Sequence, residues 1–189
     1  DFTAGNPVPP GGITFNGGSG NDGLRVVGNG QTVVYSPDMV TNGNGTITVG
    51  GSTVVFTGLE PVDFVGVALT LSLPGANDVV DLANGFLIDG TTPATVISGT
   101  SGGVGFENAR VRSSSIVIDT TGVAGTDTIT LTSMDNAHLN TSLTVTTGTE
   151  AGDTITISGT TTVSGTTTLN AKTIALNAAV TNAVTGSVA

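Results

Sequence analysis

Aspartates that follow glycine-containing turns are the candidate metal ligands and hydrogen-bond acceptors of this chain. Such turns precede Asp22, Asp78, Asp127 and Asp153, and alternating apolar and polar residues follow soon after. That alternation predicts a strand with one buried face. A carboxylate at such a turn can bind calcium together with carbonyl oxygens, or it can accept hydrogen bonds from backbone N–H groups. Both interpretations stay open, and Asp81 joins the predicted calcium ligands.

The spacing of the aspartates predicts the architecture. They lie 56, 49 and 26 residues apart, which fits two, two and one coils of about 25 to 28 residues each. Glycine pairs at 50–51 and 102–103 mark the expected half-way turns. We therefore predict an all-β, right-handed parallel β-solenoid of about six to seven coils. A β-sandwich is the alternative, because turn signals recur at intervals that also suit that fold.

Three stretches resemble repeat-rich secreted bacterial proteins. Residues 17–25, Gly-Gly-Ser-Gly-Asn-Asp-Gly-Leu-Arg, are similar to the calcium-binding nonapeptide of RTX-like β-rolls. Residues 53–62 resemble a segment of very large secreted proteins of aquatic bacteria, and residues 166–177 resemble the coils of filamentous haemagglutinin-like and autotransporter-type adhesins. The resemblance implies a secreted, cell-surface protein with a structural or adhesive role, and for the nonapeptide it implies calcium held between successive coils.

Composition narrows the possible partners. The net charge is −10, and the cations are Arg25, Arg110, Arg112 and Lys172. So few cations argue against binding to nucleic acid or to an anionic membrane surface. No apolar run is long enough for a membrane helix. Cysteine is absent, which excludes disulfides and thiolate metal sites.

The chain divides by composition into a leader and one larger domain. Residues 1–16 contain three prolines and three glycines, and we predict an extended leader or arm. Residues 17–189 form the predicted solenoid domain, whose last part, 159–189, is rich in Thr, Ala and Asn. Because the sequence starts at Asp1, we expect either a processed protein or a piece of a longer one.

Threonines occupy the polar positions of the later predicted strands. Alternation with apolar residues places them on the outward faces. The predicted outward set is Thr128, Thr130, Thr144, Thr146, Thr154 and Thr156. Ice binding is one alternative function for such a ladder, although threonine is also an ordinary strand residue.

Enzymatic residues are sparse. His138 lies in a polar loop, and Glu107 beside Arg110 and Arg112 predicts a surface ion pair. A polysaccharide-active β-helix would need convergent carboxylates, which the spacing does not supply. We therefore predict a non-enzymatic structural protein that assembles head to tail into a surface fibre or layer, or acts in adhesion to surface glycans. A calcium-dependent adhesin module of a larger protein is the alternative.

Overall fold

The computed structural model describes residues 1, 3–135, 137–138, 141–181 and 184–188, the last five by their backbone alone. Phe2 of the predicted leader and residues 182, 183 and 189 of the C-terminal part lie outside the described residues. The described part is all-β, with no helix and therefore none that could span a membrane. The all-β prediction is confirmed.

Twenty strands follow one another in the part of the chain that the structure describes. The first ten are β1 (Ile13–Asn16), β2 (Leu24–Val27), β3 (Thr32–Pro37), β4 (Gly45–Val49), β5 (Ser52–Thr57), β6 (Val62–Val65), β7 (Ala68–Ser72), β8 (Val79–Phe86), β9 (Pro93–Ser101) and β10 (Val104–Gly105). The others are β11 (Ala109–Arg112), β12 (Ser115–Asp119), β13 (Thr128–Ser133), β14 (Ser142–Thr146), β15 (Thr154–Ile157), β16 (Thr161–Thr162), β17 (Thr167–Ala171), β18 (Thr173–Leu176), β19 (Val180–Thr181) and β20 (Val184–Val188).

These strands form two large mixed sheets and one small one. The first sheet has the order β1-β5-β4-β3-β7-β12-β14-β17-β20. The second has the order β18-β15-β13-β8-β9-β11-β6-β2, with β10 added to β9, and β16 pairs with β19. Inward side chains from both large sheets join in one apolar core.

From β12 onward the topology is regular. Apart from β16 and β19 of the small sheet, successive strands alternate between the two large sheets, and from β14 onward each pairs in parallel with the strand that preceded it in its own large sheet. In the first sheet, Ile118 pairs with Val145, and Val145 pairs with Leu169, and all three are buried. Inward positions therefore stay above inward positions.

The part before β12 contains antiparallel insertions. Strands β3, β4 and β5 form a meander, and β9 pairs antiparallel with β8, β10 and β11. The glycine pairs predicted as turns of missing coils connect hairpins instead: Gly50 and Gly51 join β4 to β5, and Gly102 and Gly103 join β9 to β10. Their positive φ angles, between 55° and 82°, suit tight hairpin turns.

The predicted coil count was therefore wrong for one interval. Strand β13 lies directly beside β8, with Thr128 paired to Val79. Asp78 and Asp127 are consequently neighbours on adjacent strands and not two coils apart. The extra residues between them are strands β9, β10 and β11, with β9 antiparallel to β8, β10 and β11. Sequence spacing cannot distinguish such an insertion from a further coil.

The predicted leader packs against the first sheet. Val8 is 6% exposed and belongs to the core. The Asn6 side chain donates to the Val49 carbonyl and to Ser52 Oγ at 3.3 and 3.2 Å. Strand β1, at the end of the leader, pairs in parallel with β5. These contacts dock the leader on the β4–β5 hairpin.

Candidate functional site

Three of the predicted aspartates form a column in the second sheet. Asp78, Asp127 and Asp153 each stand immediately before a strand, β8, β13 and β15 respectively. The following residues, Val79, Thr128 and Thr154, are in register across those strands. Parallel in-register pairing therefore stacks the three aspartates at a spacing of about 4.8 Å per strand.

The column is held by carboxylate-to-backbone hydrogen bonds. Asp78 N–H donates to Asp127 Oδ1 at 2.8 Å, and Asp127 N–H donates to Asp153 Oδ1 at 3.0 Å. The backbone bonds run the other way, because Thr128 N–H donates to the Asp78 carbonyl and Thr154 N–H to the Asp127 carbonyl, each at 2.8 Å. Each strand start is thus tied to the next by two bonds.

Neighbouring groups satisfy the remaining carboxylate oxygens of the last two aspartates. Thr120 Oγ1 donates to Asp127 Oδ2, and Glu150 N–H donates to Asp153 Oδ2 at 3.1 Å. All three aspartates are at most 2% exposed. A buried carboxylate needs such donors, because each unsatisfied group costs free energy.

Asp78, the first member of the column, has an altered acidity. Burial raises its pKa to about 6, and the nearby Asp127 charge acts in the same direction. The Ser101 hydroxyl and the Gly102 N–H, whose nitrogen is 3.1 Å from Asp78 Oδ1, oppose that rise. Desolvation outweighs the hydrogen bonds, so the protonated form of Asp78 is favoured in the folded protein relative to a free aspartate.

A lysine follows the three aspartates at the end of the column. Thr173 of β18 pairs with Thr154, which places Lys172 at the column position that follows Asp153. The next residue, Thr173, repeats the backbone hydrogen bond of the column, because its N–H donates to the Asp153 carbonyl at 2.9 Å. The Lys172 residue is exposed, in contrast to the buried aspartates.

The other two predicted calcium ligands lie elsewhere. Asp22 precedes β2, and β2 is separated from β8 in the second sheet by β6, β11 and β9. Its backbone carbonyl accepts the Glu60 N–H at 2.9 Å. Asp81 lies on the outward face of β8 and accepts a hydrogen bond from Thr132 Oγ1. The structure therefore assembles only Asp78, Asp127 and Asp153.

The three stacked aspartates do not form a cluster of metal ligands. Within the described part of the chain, no three side chains of His, Cys, Asp or Glu converge as metal ligands would. The column oxygens instead accept N–H and hydroxyl hydrogens, which is the turn-capping alternative of the sequence interpretation. Calcium binding by these aspartates stays a prediction that a titration can test.

Residues 17–25 carry the chain from one large sheet to the other. It connects β1 of the first sheet to β2 of the second. Gly18 and Gly20 adopt φ angles of 87° and 126°, which side chains rarely tolerate. A Cβ on Gly17 would lie 2.0 Å from the Gly58 carbonyl oxygen. The glycines of the resemblance are thus needed by the backbone path itself.

The predicted threonine set is divided between two faces. Thr128, Thr130, Thr154 and Thr156 lie in the second sheet, where Thr128 pairs with Thr154 and Thr130 with Thr156. Thr144 and Thr146 belong to the first sheet. On the second sheet, the next strand continues with Thr173 and Ala175. The paired Thr-x-Thr pattern therefore spans two strands, β13 and β15.

Sequence reasoning missed an ion pair between a buried aspartate and a partly exposed arginine in the second sheet. Arg25 of β2 donates through Nε and Nη2 to Asp63 Oδ2 of β6, at 3.0 and 2.8 Å. Asp63 is fully buried and also accepts the Ile88 N–H at 3.1 Å. The available signal was an acid inside the apolar run Val62, Asp63, Phe64. Its partner lies 38 residues away in sequence and is found only through strand pairing.

A second missed pair lies in the loop before β14. His138 Nδ1 is 2.6 Å from Asp135 Oδ1. Hydrogen bonding to His138 lowers the pKa of Asp135. Arg110 and Arg112 form no ion pair with Glu107 among the described residues, so that predicted surface pair was wrong.

Comparison with known proteins gives no relative: the chain matches no protein-family model, no curated protein and no solved structure.

Proposed function

We propose that this chain is a right-handed parallel β-solenoid that serves as a structural segment of a secreted bacterial surface protein, and that copies associate head to tail through their open sheet edges. One observation carries the proposal: the two outer strands of each large sheet run in the same direction. Between its outer strands, each large sheet contains two antiparallel pairings. Two reversals of strand direction cancel, so the outer strands of each sheet are parallel to each other.

The edge geometry supports a heterologous contact. Strands β1 and β20 bound the first sheet, and β2 and β18 bound the second. A strand of another copy can add to such an edge by main-chain hydrogen bonds. Because the outer strands are parallel, one end of a copy offers the same strand direction that the other end accepts. A contact of this type does not close on itself, so it extends into filaments.

Edge strand β18 is the best described part of this surface. Thr173 N–H donates to the carbonyl of Asp153, immediately before β15, and Asn177 N–H donates to the carbonyl of Ile157, the last residue of β15, both at 2.9 Å. In a parallel ladder the alternate residues Ile174 and Leu176 then direct their N–H groups away from β15. Leu176 is 62% exposed. An exposed apolar side chain on an open edge favours association with another strand.

The regular part of the fold supports the solenoid description. From β12 onward, each circuit of the chain adds one strand to each large sheet in register. The aspartate column holds strand starts together in the same stacking direction. In a structural protein this arrangement stabilises the whole stack, because each repeat packs against its neighbours. A secreted location, contact with surface glycans and calcium dependence belong to the same proposal.

Negative-stain electron microscopy of the purified chain, with millimolar calcium and with a chelator, tests the assembly. We expect filaments in both conditions if hydrogen-bonded aspartates suffice. Filaments only with calcium would instead favour the calcium-dependent module. Monomers at high protein concentration in both conditions would contradict head-to-tail assembly.

A charge on the edge strand supplies the matched control. Leu176→Lys should shorten or abolish filaments, because charged residues on an edge oppose strand addition. Val40→Lys makes the same change at an 82% exposed site in the connection between β3 and β4. It should leave filament length unchanged. Equal behaviour of the two variants would show that β18 is not part of the contact.

A further inference from the structure

A small cavity lies where the chain passes from the second sheet to the first. Its lining residues are Val111, Arg112, Ser113, Ile116, His138 and Thr141. Val111 and Ile116 are 1% exposed and form an apolar floor. The remaining four residues bring a cation, an imidazole and two hydroxyls to one enclosed space.

The volume of this cavity is about 110 Å³. At about 30 Å³ per water molecule in the liquid, this space suits a group of three or four non-hydrogen atoms.

Strand pairing assembles the two hydroxyls. Ser113 connects β11 to β12, and Thr141 immediately precedes β14. Ser115 pairs with Ser142, so the two connections lie one strand apart. Ser113 Oγ and Thr141 Oγ1 are both buried without a hydrogen-bond partner in the described structure, and Thr141 is 8% exposed. Leaving a buried hydroxyl unsatisfied costs about 1 to 3 kcal/mol, so a ligand that accepts from both would be favoured.

Arg112 supplies a charge that the protein itself does not neutralise. Its Nη1 donates to the carbonyl oxygens of Pro93 and Ala137 at 2.9 and 3.3 Å. These acceptors orient the guanidinium but carry no net charge. Arg112 forms no ion pair with any carboxylate of the described residues, although the chain has 14 acids and only four Lys and Arg residues.

His138 completes the polar lining. Its Nδ1 faces Asp135 Oδ1 at 2.6 Å, and this contact fixes the ring, whose side chain is 16% exposed. Nε2 has no hydrogen-bond partner among the described residues. Asp135 is the acid nearest to the lining and is already engaged by His138 and by the backbone N–H of Ala137.

We propose that this cavity binds a small carboxylate anion. A carboxylate has two acceptor oxygens for the Ser113 and Thr141 hydroxyls, and the Arg112 guanidinium matches its charge and its planar shape. The carboxylate belongs to a free small acid or to an acidic sugar of a surface glycan. Both share the chemistry that the cavity recognises.

Nuclear magnetic resonance can follow binding through His138, the only histidine of the chain. Acetate is titrated against chloride at constant ionic strength and pH while the imidazole resonances are recorded. We expect a saturable shift. Glucuronate in a second titration distinguishes the sources: saturation by acetate alone indicates a free acid, and saturation by both indicates that a sugar acid also fits.

Four variants assign the contacts. Ser113→Ala and Thr141→Val should each weaken acetate binding about 5- to 10-fold, as expected for loss of one hydrogen bond. Arg112→Gln should weaken it more than 10-fold, and Arg112→Lys should restore part of the affinity because the charge returns. Lys172→Gln removes one positive charge elsewhere and should leave the affinity unchanged. Circular dichroism verifies that each variant is folded.

Two outcomes would overturn the proposal. A linear, unsaturated response of His138 to acetate would show that the cavity does not bind the anion. An equal effect of Arg112→Gln and Lys172→Gln would show that the response reports overall charge only.

Discussion

The two halves of the molecule solve the same packing problem with different strands and different side chains. Before β12 the sheets contain antiparallel hairpins, and Tyr35, Phe56 and Phe64 pack together in the core, with Tyr35 5.8 Å from each of the other two ring centroids. From β12 onward the pairing is parallel, and no Phe, Tyr or Trp follows Phe106 in the chain. The core there is built from smaller apolar residues such as Ile129 and Val145.

This difference shows that the same pair of sheets is stabilised in two different ways along its length. The first half depends on a few large side chains, each burying much area. The second half depends on repeated small contacts and on the aspartate column that joins strand starts.

Removing an aromatic ring should cause the largest loss. Phe64→Ala should lower the free energy of unfolding by about 3 to 5 kcal/mol, because it removes a fully buried ring and leaves a cavity beside Tyr35. Ile155→Val, at a fully buried position of the second half, should cost about 0.5 to 1.5 kcal/mol. Urea denaturation measures both. A similar cost for the two variants would mean that the aromatic cluster contributes no special share.

Breaking the aspartate column should have the next largest effect. Asp127→Ala leaves the Asp78 N–H and the Thr120 hydroxyl without their acceptor. The expected loss is about 2 to 4 kcal/mol, since each unsatisfied buried group costs about 1 to 3 kcal/mol. Asp22→Ala, outside the column, should change stability by about 0.5 kcal/mol. The same urea experiment compares them, and equal losses would contradict a specific role for the column.

The pH dependence of stability should report Asp78. Its pKa is raised to about 6 in the folded protein, above the ordinary value of about 3.9. Between about pH 4 and 6 the folded state therefore holds a proton that the unfolded state has released. This contribution makes stability fall as pH rises through that window, by up to about 3 kcal/mol.

The Asp78→Asn variant isolates this effect. The amide cannot titrate, so its stability relative to the parent should increase between pH 4 and 6 and stay level above that range. The lowered pKa values of Asp89 and Asp135 act in the opposite direction, but both proteins share them. A constant difference between parent and variant across the window would contradict the assignment. Thermal melts at fixed ionic strength give the comparison.

An outward threonine should have the smallest effect. Thr156→Val, on the outward face of β15, should change stability by no more than about 0.5 kcal/mol. Thr120→Val, at a fully buried position that donates to Asp127, should cost about 1 kcal/mol or more. A larger loss at position 156 than at position 120 would reverse the proposed roles of the two threonines.

Local patterns predicted strand positions well. The strands predicted after Asp78, Asp127 and Asp153 are β8, β13 and β15, and each begins at the residue that follows its aspartate. The alternation of side chains was also correct, because Ile129 and Leu131 are fully buried while Thr128 is exposed. Period-two patterning carries this information within a few residues.

The candidate site was only partly predictable. The turn aspartates were recognisable from their glycine turns, but the separation of Asp22 and Asp81 from the column was not. Asp63 and Arg25 were not identified as a pair, because neither local sequence indicates that the other residue lies on a neighbouring strand. Such contacts depend on which strands become neighbours, and that choice is made over long sequence separations.

The all-β class, the strand positions and the inward and outward faces could be predicted, because they follow from composition and from the two-residue period of a strand. The hairpin turns at Gly50 and Gly102, and the position of Asp127 between Asp78 and Asp153, depend on strand pairing. Strand pairing is made by hydrogen bonds that join residues distant in the chain, and it leaves no periodic pattern in the sequence.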